Sequence, residues 1–121
     1  MKCRMTENDL KIRTKKFALR VIRLVDALPR STAGRAIGGQ LIRAGTSVGS
    51  NYRAACRGRS KAEFVAKLGT VDEEADESAF WMELIIEAGL LRPAKVEQLR
   101  REAEELTRIM AASRLTARRS S

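Results

Sequence analysis

Apolar residues recur four and three positions apart over four separate stretches of this chain, and a residue that stops a helix follows each of the first three. The first stretch, residues 6–28, places Leu10, Thr14, Phe17, Val21, Leu24 and Leu28 on one face, with Thr6 and Asp9 as a cap and Leu28-Pro29 as the stop. The second, 32–57, carries Ile37, Leu41, Ala44, Val48, Asn51 and Ala55. Beside that stripe runs a mostly small one of Gly38, Ile42, Gly45, Gly49, Tyr52 and Cys56, and Gly58 ends the stretch. The third, 60–89, opens on the capping pattern Ser60-Lys61-Ala62-Glu63 and repeats Phe64, Leu68, Val71, Ala75, Ser78, Met82 and Ile85. Pro93, suited to a first helical turn, opens the fourth, 93–116, with Val96, Leu99, Ala103, Leu106 and Met110. Each helix would be about 30 to 40 Å long at 1.5 Å per residue. Short connections between such helices predict an all-α, antiparallel up-down-up-down four-helix bundle, one domain over residues 1–121 with a frayed basic tail at 117–121.

Composition narrows the function. There is no histidine, which removes triads built on His, His-based acid–base catalysis and HExxH zinc sites. Cys3 and Cys56 are too few and too far apart for a disulfide scaffold, so the chain reads as reduced and cytoplasmic. MKCRMTENDLKIRTKK has no apolar run and is not a signal peptide. FWMELIIEAGLL contains Glu83 and Glu87 and is too short to span a bilayer, so no membrane is expected as a partner.

The net charge of +9 is unevenly spread. Residues 1–61 hold 15 basic and 3 acidic groups, residues 62–91 hold 1 and 8, and residues 92–121 hold 8 and 4. The basic half attracts polyanions, and the acidic block offers charge pairing within the fold or between copies.

The stretch RAGTSVGSNYRAACRGRS, residues 43–60, has the glycines and hydroxyls of a phosphate loop. A Walker A loop needs GxxxxGK[ST] after a strand; here Gly45 and Gly49 are four apart, Asn51 follows Ser50, and the preceding residues have helical spacing. The nucleotide reading fails. Glycines inside a helix cost about 1 kcal/mol each relative to alanine, so Gly38, Gly45 and Gly49 predict close approach of another helix, in this chain or another copy. Asn51 on the core-facing stripe predicts a helix–helix hydrogen bond that fixes register.

A third face of the same helix holds Arg43, Thr46, Ser50, Arg53 and Arg57, continuing to Arg59 and Lys61. Lys11, Lys15, Lys16 and Arg20 add to its field. The spacing suits phosphates along a nucleic-acid backbone, RNA or DNA; solvated surface or ion pairing with the acidic block would account for the same residues. No stacking aromatic lies among them, which argues against base readout. The block Asp72 to Glu77 lacks an EF-hand glycine and a Glu-x-x-His, so neither metal nor cofactor is expected. Its Glu74 and Glu77 share one side and call for arginines of the second helix or of an adjacent subunit. No nucleophile–base pair is visible, and no catalytic residue is assigned.

The run QLIRAGTSVGSNYRAACRGRSKAEFVAKL, then EEADESAFWMELI and GLL, resembles the bacterial four helix bundle protein family of 23S rRNA-intervening sequence proteins, also called the S23 ribosomal protein family. The resemblance covers roughly Phe17 to Leu91 and matches Gln40, Arg43, Ser47 and Asn51 to the second-helix motif. Many relatives carry a glutamate-glycine pair after the asparagine, where this chain has Ala54-Ala55 or Ala55-Cys56. The resemblance implies an antiparallel bundle, assembly as a homo-oligomer of five protomers, and no enzymatic activity. Through the related accessory proteins of diversity-generating retroelements it also implies nucleic-acid binding and a reverse transcriptase as protein partner. The resulting expectation is a non-enzymatic homo-oligomeric bundle that binds RNA or DNA through phosphates. The alternative is a protein–protein adaptor whose basic and acidic faces pair between subunits or with a client.

Overall fold

The structure, a computed structural model, describes residues 5–120; Cys3 and Ser121 lie outside them. Four helices account for most of it: α1 (Glu7–Asp26), α2 (Thr32–Cys56), α3 (Lys61–Glu87) and α4 (Pro93–Arg119). Local chemistry sets their ends. Thr6 Oγ1 accepts from Asp9 N while Asp9 Oδ2 accepts from Thr6 N, both at 3.0 Å, a reciprocal cap for α1. Ser31 and Ser60 hydroxyls accept the amides of Gly34 and Glu63 at 3.1 Å to start α2 and α3. Pro93 stands in the first turn of α4 with no side-chain cap before it. Gly89 adopts φ 71° and reverses the chain after α3, where Leu90 N donates to Ile85 O at 3.0 Å.

Each helix packs on the next, α1 also meets α4 more lightly, and the backbones of the diagonal pairs α1/α3 and α2/α4 stay apart across the shared core. The directions alternate. Gly38, Gly45 and Gly49 of α2 lie against Val25/Leu28, Val21 and Thr14 of α1, so one number falls as the other rises. Lys61 lies by Arg118 and Ser120, and Asp72 by Arg114, which makes α3 and α4 antiparallel as well. The molecule is the all-α up-down-up-down bundle that the periodicity predicts.

The core is drawn from the predicted stripes: Phe17 and Val21, Leu41 and Val48, Leu68 and Met82, Leu106 and Met110 are among its fully buried members. Both stripes of α2 are used, because α2 is wedged between α1 and α3. Thr14 and Ser78 are buried polar residues whose hydroxyls donate to carbonyls one turn back, Leu10 O at 2.7 Å and Glu74 O at 2.8 Å.

Two expectations are corrected, and one is narrowed to the first of its two alternatives. Asn51 makes no inter-helix bond: it is half-buried at the rim and its Nδ2 donates to Ser47 O of its own helix at 2.8 Å. Its stripe is displaced because the buried arc of α2 is centred between the two apolar rows. The tail does not fray at residue 117; α4 continues to Arg119, and the Lys61 ammonium reaches the Arg118 and Ser120 carbonyls at its end. The packing glycines face α1 of the same chain, and they differ. A β-carbon on Gly45 would meet both Val21 methyls at 2.8 Å, on Gly38 it would meet Leu28 and Val25 at 3.2 Å, and on Gly49 it would be in ordinary contact with Thr14 at 3.4 Å.

Candidate nucleic-acid interface

Small residues on α1 and α2 leave a trough along their outer junction. Gly49, Ala18, Ile12 and Thr46 are among its lining residues, and the cavity is about 580 Å³. Lys11 and Lys15, one turn apart on α1, line one wall; Arg53 and Arg57, one turn apart on α2, line the other. Ser50 completes the α2 wall, its hydroxyl only loosely tied to Ser47 O at 3.4 Å.

No carboxylate lines this trough, and among the described residues none of its four cations is in an ion pair. Five arginines elsewhere among the described residues, Arg13, Arg43, Arg100, Arg101 and Arg114, are in ion pairs. Arg43 pairs with Glu74 at 3.2 Å and also with Glu77, so for this residue the acid it meets is a carboxylate of α3. Glu77 accepts from the Trp81 indole at 3.0 Å as well, and these two donors hold its carboxyl below the usual range. Arg114 sits 3.3 Å from Asp72, whose carboxyl burial nonetheless pushes up. On α4, Arg100 bridges Glu97 at 2.6 Å and Glu104 at 2.5 Å, and Arg100 chiefly brings Glu97 down to about 2.

The nine cations expected to act together are therefore divided. Lys11, Lys15, Arg53 and Arg57 share the trough; Arg43 is bound to α3. Lys61 caps the end of α4, and Arg59 is exposed in the α2–α3 turn, its backbone N donating to Glu63 Oε1 at 3.0 Å. Lys16 is exposed and Arg20 half-buried, and neither lines the trough. Sequence reasoning did not bring Lys11 and Lys15 onto the same groove as Arg53 and Arg57. Their matching four-residue repeats are the available signal, since each pair marks one face of a helix.

The groups next to the trough are not poised as nucleophiles. Burial pushes the Cys56 thiol up, with Glu7 acting in the same direction and Lys11 opposing. Tyr52, buried one turn before it on α2, is likewise held protonated by burial. Among the described residues no group of three or more Cys, Asp or Glu side chains is placed to hold a metal ion, and no helix is long and apolar enough to cross a membrane.

A solved structure with this fold comes from Bacteroides thetaiotaomicron VPI-5482, a protein with unknown function from the S23 ribosomal protein family. It superposes with a TM-score of 0.79 at 28% identity, over 85% of this chain and 95% of that one. No curated protein matches the chain. The sequence profile of the 23S rRNA-intervening sequence proteins matches residues 6–112, nearly the whole of the four helices. The chain thus belongs to the 23S rRNA-intervening sequence protein family.

Proposed function

We propose that this protein is a non-enzymatic, homo-oligomeric bundle of the bacterial cytoplasm that binds RNA or DNA through backbone phosphates, with the α1–α2 trough as the contact. One observation carries the reading: four cations without carboxylate partners line a single groove, while Arg43, Arg100 and Arg114 are each paired with acids. Unpaired cations in a concave site are free to release counterions to a polyanion. Arg59 extends the field beyond the groove's end. The family description names a 23S rRNA intervening sequence, so RNA is the first ligand to try. A ribosomal RNA or a reverse transcriptase would be the setting in which such an accessory acts.

Affinity for single- and double-stranded RNA and DNA, measured by fluorescence anisotropy across salt, tests this. A steep log–log salt dependence is expected. Arg53→Glu with Arg57→Glu should lower affinity for all sequences alike and flatten the slope by about 0.7 to 0.9 for each phosphate that the variant no longer neutralises. A flat dependence in the unaltered protein overturns the reading.

The adaptor alternative draws on a different observation, the unpaired carboxylates along the outer face of α3. Loss of assembly in the same double variant, with nucleic-acid affinity unchanged, would favour it.

A further inference from the structure

Opposite its buried stripe, α1 carries a second apolar row. Ile12, Leu19 and Ile22 are 53%, 48% and 36% exposed, spaced seven and three apart as on a coiled-coil seam. Lys16 and Arg23, neither of them in the trough lining, border them, both exposed and, among the described residues, outside every ion pair. The outer face of α3 has the complementary composition. Glu73, Asp76, Phe80, Glu83 and Glu87 follow at spacings of three and four. Phe80 is 49% exposed, and the four carboxylates have no cation partner among the described residues.

These two faces cannot meet within one molecule. α1 and α3 are diagonal in the bundle and face each other only across its core, so the two outer seams point to opposite sides. We propose that the outer seam of α1 in one copy docks on the outer seam of α3 in the next. The segments 12–23 and 76–87 are equal in length, about 17 Å each at 1.5 Å per residue. Docking would cover Phe80 with Leu19 and Ile22 while the bordering cations meet the α3 carboxylates, and Ile12 forms the edge that the seam shares with the trough. A polyanion on α1 would satisfy those cations but leave the apolar row wet; a second copy covers both. Since the surfaces differ, the contact is heterologous, and repeating it closes a ring or extends a filament.

This docking rests on the homo-oligomer part of the proposed function. Its test is light scattering after size exclusion, on nucleic-acid-free protein across a wide concentration range. Two variants are needed: Leu19→Glu with Ile22→Glu to spoil the α1 seam, and Asp76→Ser with Phe80→Ser to spoil the α3 seam without adding a charge that would pair with the new glutamates. All four positions are away from the trough lining. The unaltered protein should run well above its 13.5 kDa chain mass, and each variant alone should run as a monomer with undiminished helical circular dichroism. An equimolar mixture of the two retains one sound α1 seam and one sound α3 seam, so it should form a one-to-one dimer and nothing larger. An unaltered protein that stays monomeric overturns both the docking and the homo-oligomer reading. Variants that assemble like the unaltered protein overturn the docking alone, as does a mixture that stays monomeric.

Discussion

A β-carbon placed on Gly45 would come 2.8 Å from both methyls of Val21, a fully buried residue whose branched side chain has one strongly preferred rotamer in a helix. Replacing Gly45 with alanine gains about 1 kcal/mol of helix propensity, but overpacking costs about 1–3 kcal/mol. Gly45→Ala should therefore destabilise by about 1 kcal/mol. Gly39 offers the reverse case: nothing lies within 4 Å of its β-position, so Gly39→Ala should stabilise by about 0.5–1 kcal/mol. Gly34 is the most constrained, with the Pro29 carbonyl oxygen 2.0 Å from the added carbon, and Gly34→Ala should cost more than Gly45→Ala. Urea midpoints for the three variants give the ordering. The small-residue stripe predicts close packing at Gly45 and Gly38; Gly34 lies one turn earlier on the same row, but its constraint comes from the path of the Leu28-Pro29 turn and not from a neighbouring helix.

Between elements, the α1–α4 seam depends on a polar clasp. These helices touch lightly, and Arg13 spans them, donating to both Glu102 oxygens at 2.7 and 2.8 Å and to Glu105 at 2.6 Å. The bidentate geometry and partial burial of Arg13 and Glu102 place it above an ordinary surface pair. Arg13→Met should weaken α1 docking by about 1–2 kcal/mol. Amide exchange would then speed up in α1 while the α2–α3 core keeps its protection. Periodicity alone could not identify this clasp. It fixes which side of its own helix a residue occupies, so Phe17, Leu41, Met82 and Leu106 are legible from the sequence as core. A long charged side chain reaches several ångströms beyond its helix, and its partner depends on the neighbouring helix's register. Arg13 and Arg43 look alike in the sequence as members of a basic half, yet one meets α4 and the other α3. The matching carboxylates were partly legible: Glu74 and Glu77 share a side and call for arginines of α2, and Arg43 is there. Asn51 misled because one residue's drift around a helix moves a side chain from the core to its rim.

For the whole molecule, the net charge of +9 matters less than which charges are spent inside the fold. Pairing on α2–α3, α1–α4 and along α4 occupies Arg43, Arg13 and Arg100; the trough between α1 and α2 keeps four cations free, and the outer face of α3 keeps free carboxylates. If copies join α1 to α3, each brings one basic trough, and the troughs repeat around the assembly. Affinity for a long nucleic acid then contains an avidity term that a short one lacks. Leu19→Glu with Ile22→Glu separates the two contributions. It adds negative charge near the trough, which weakens binding of any oligonucleotide through the local field, and it also breaks the assembly. A strand of roughly 10 nucleotides, about the span of one site, reports the field effect alone. A strand several times longer reports field and avidity together. The long strand should lose at least about tenfold more affinity than the short one when both are measured by anisotropy at the same salt. Equal losses on the two strands would mean that each trough binds independently, and the link between assembly and binding would fail even if both occur.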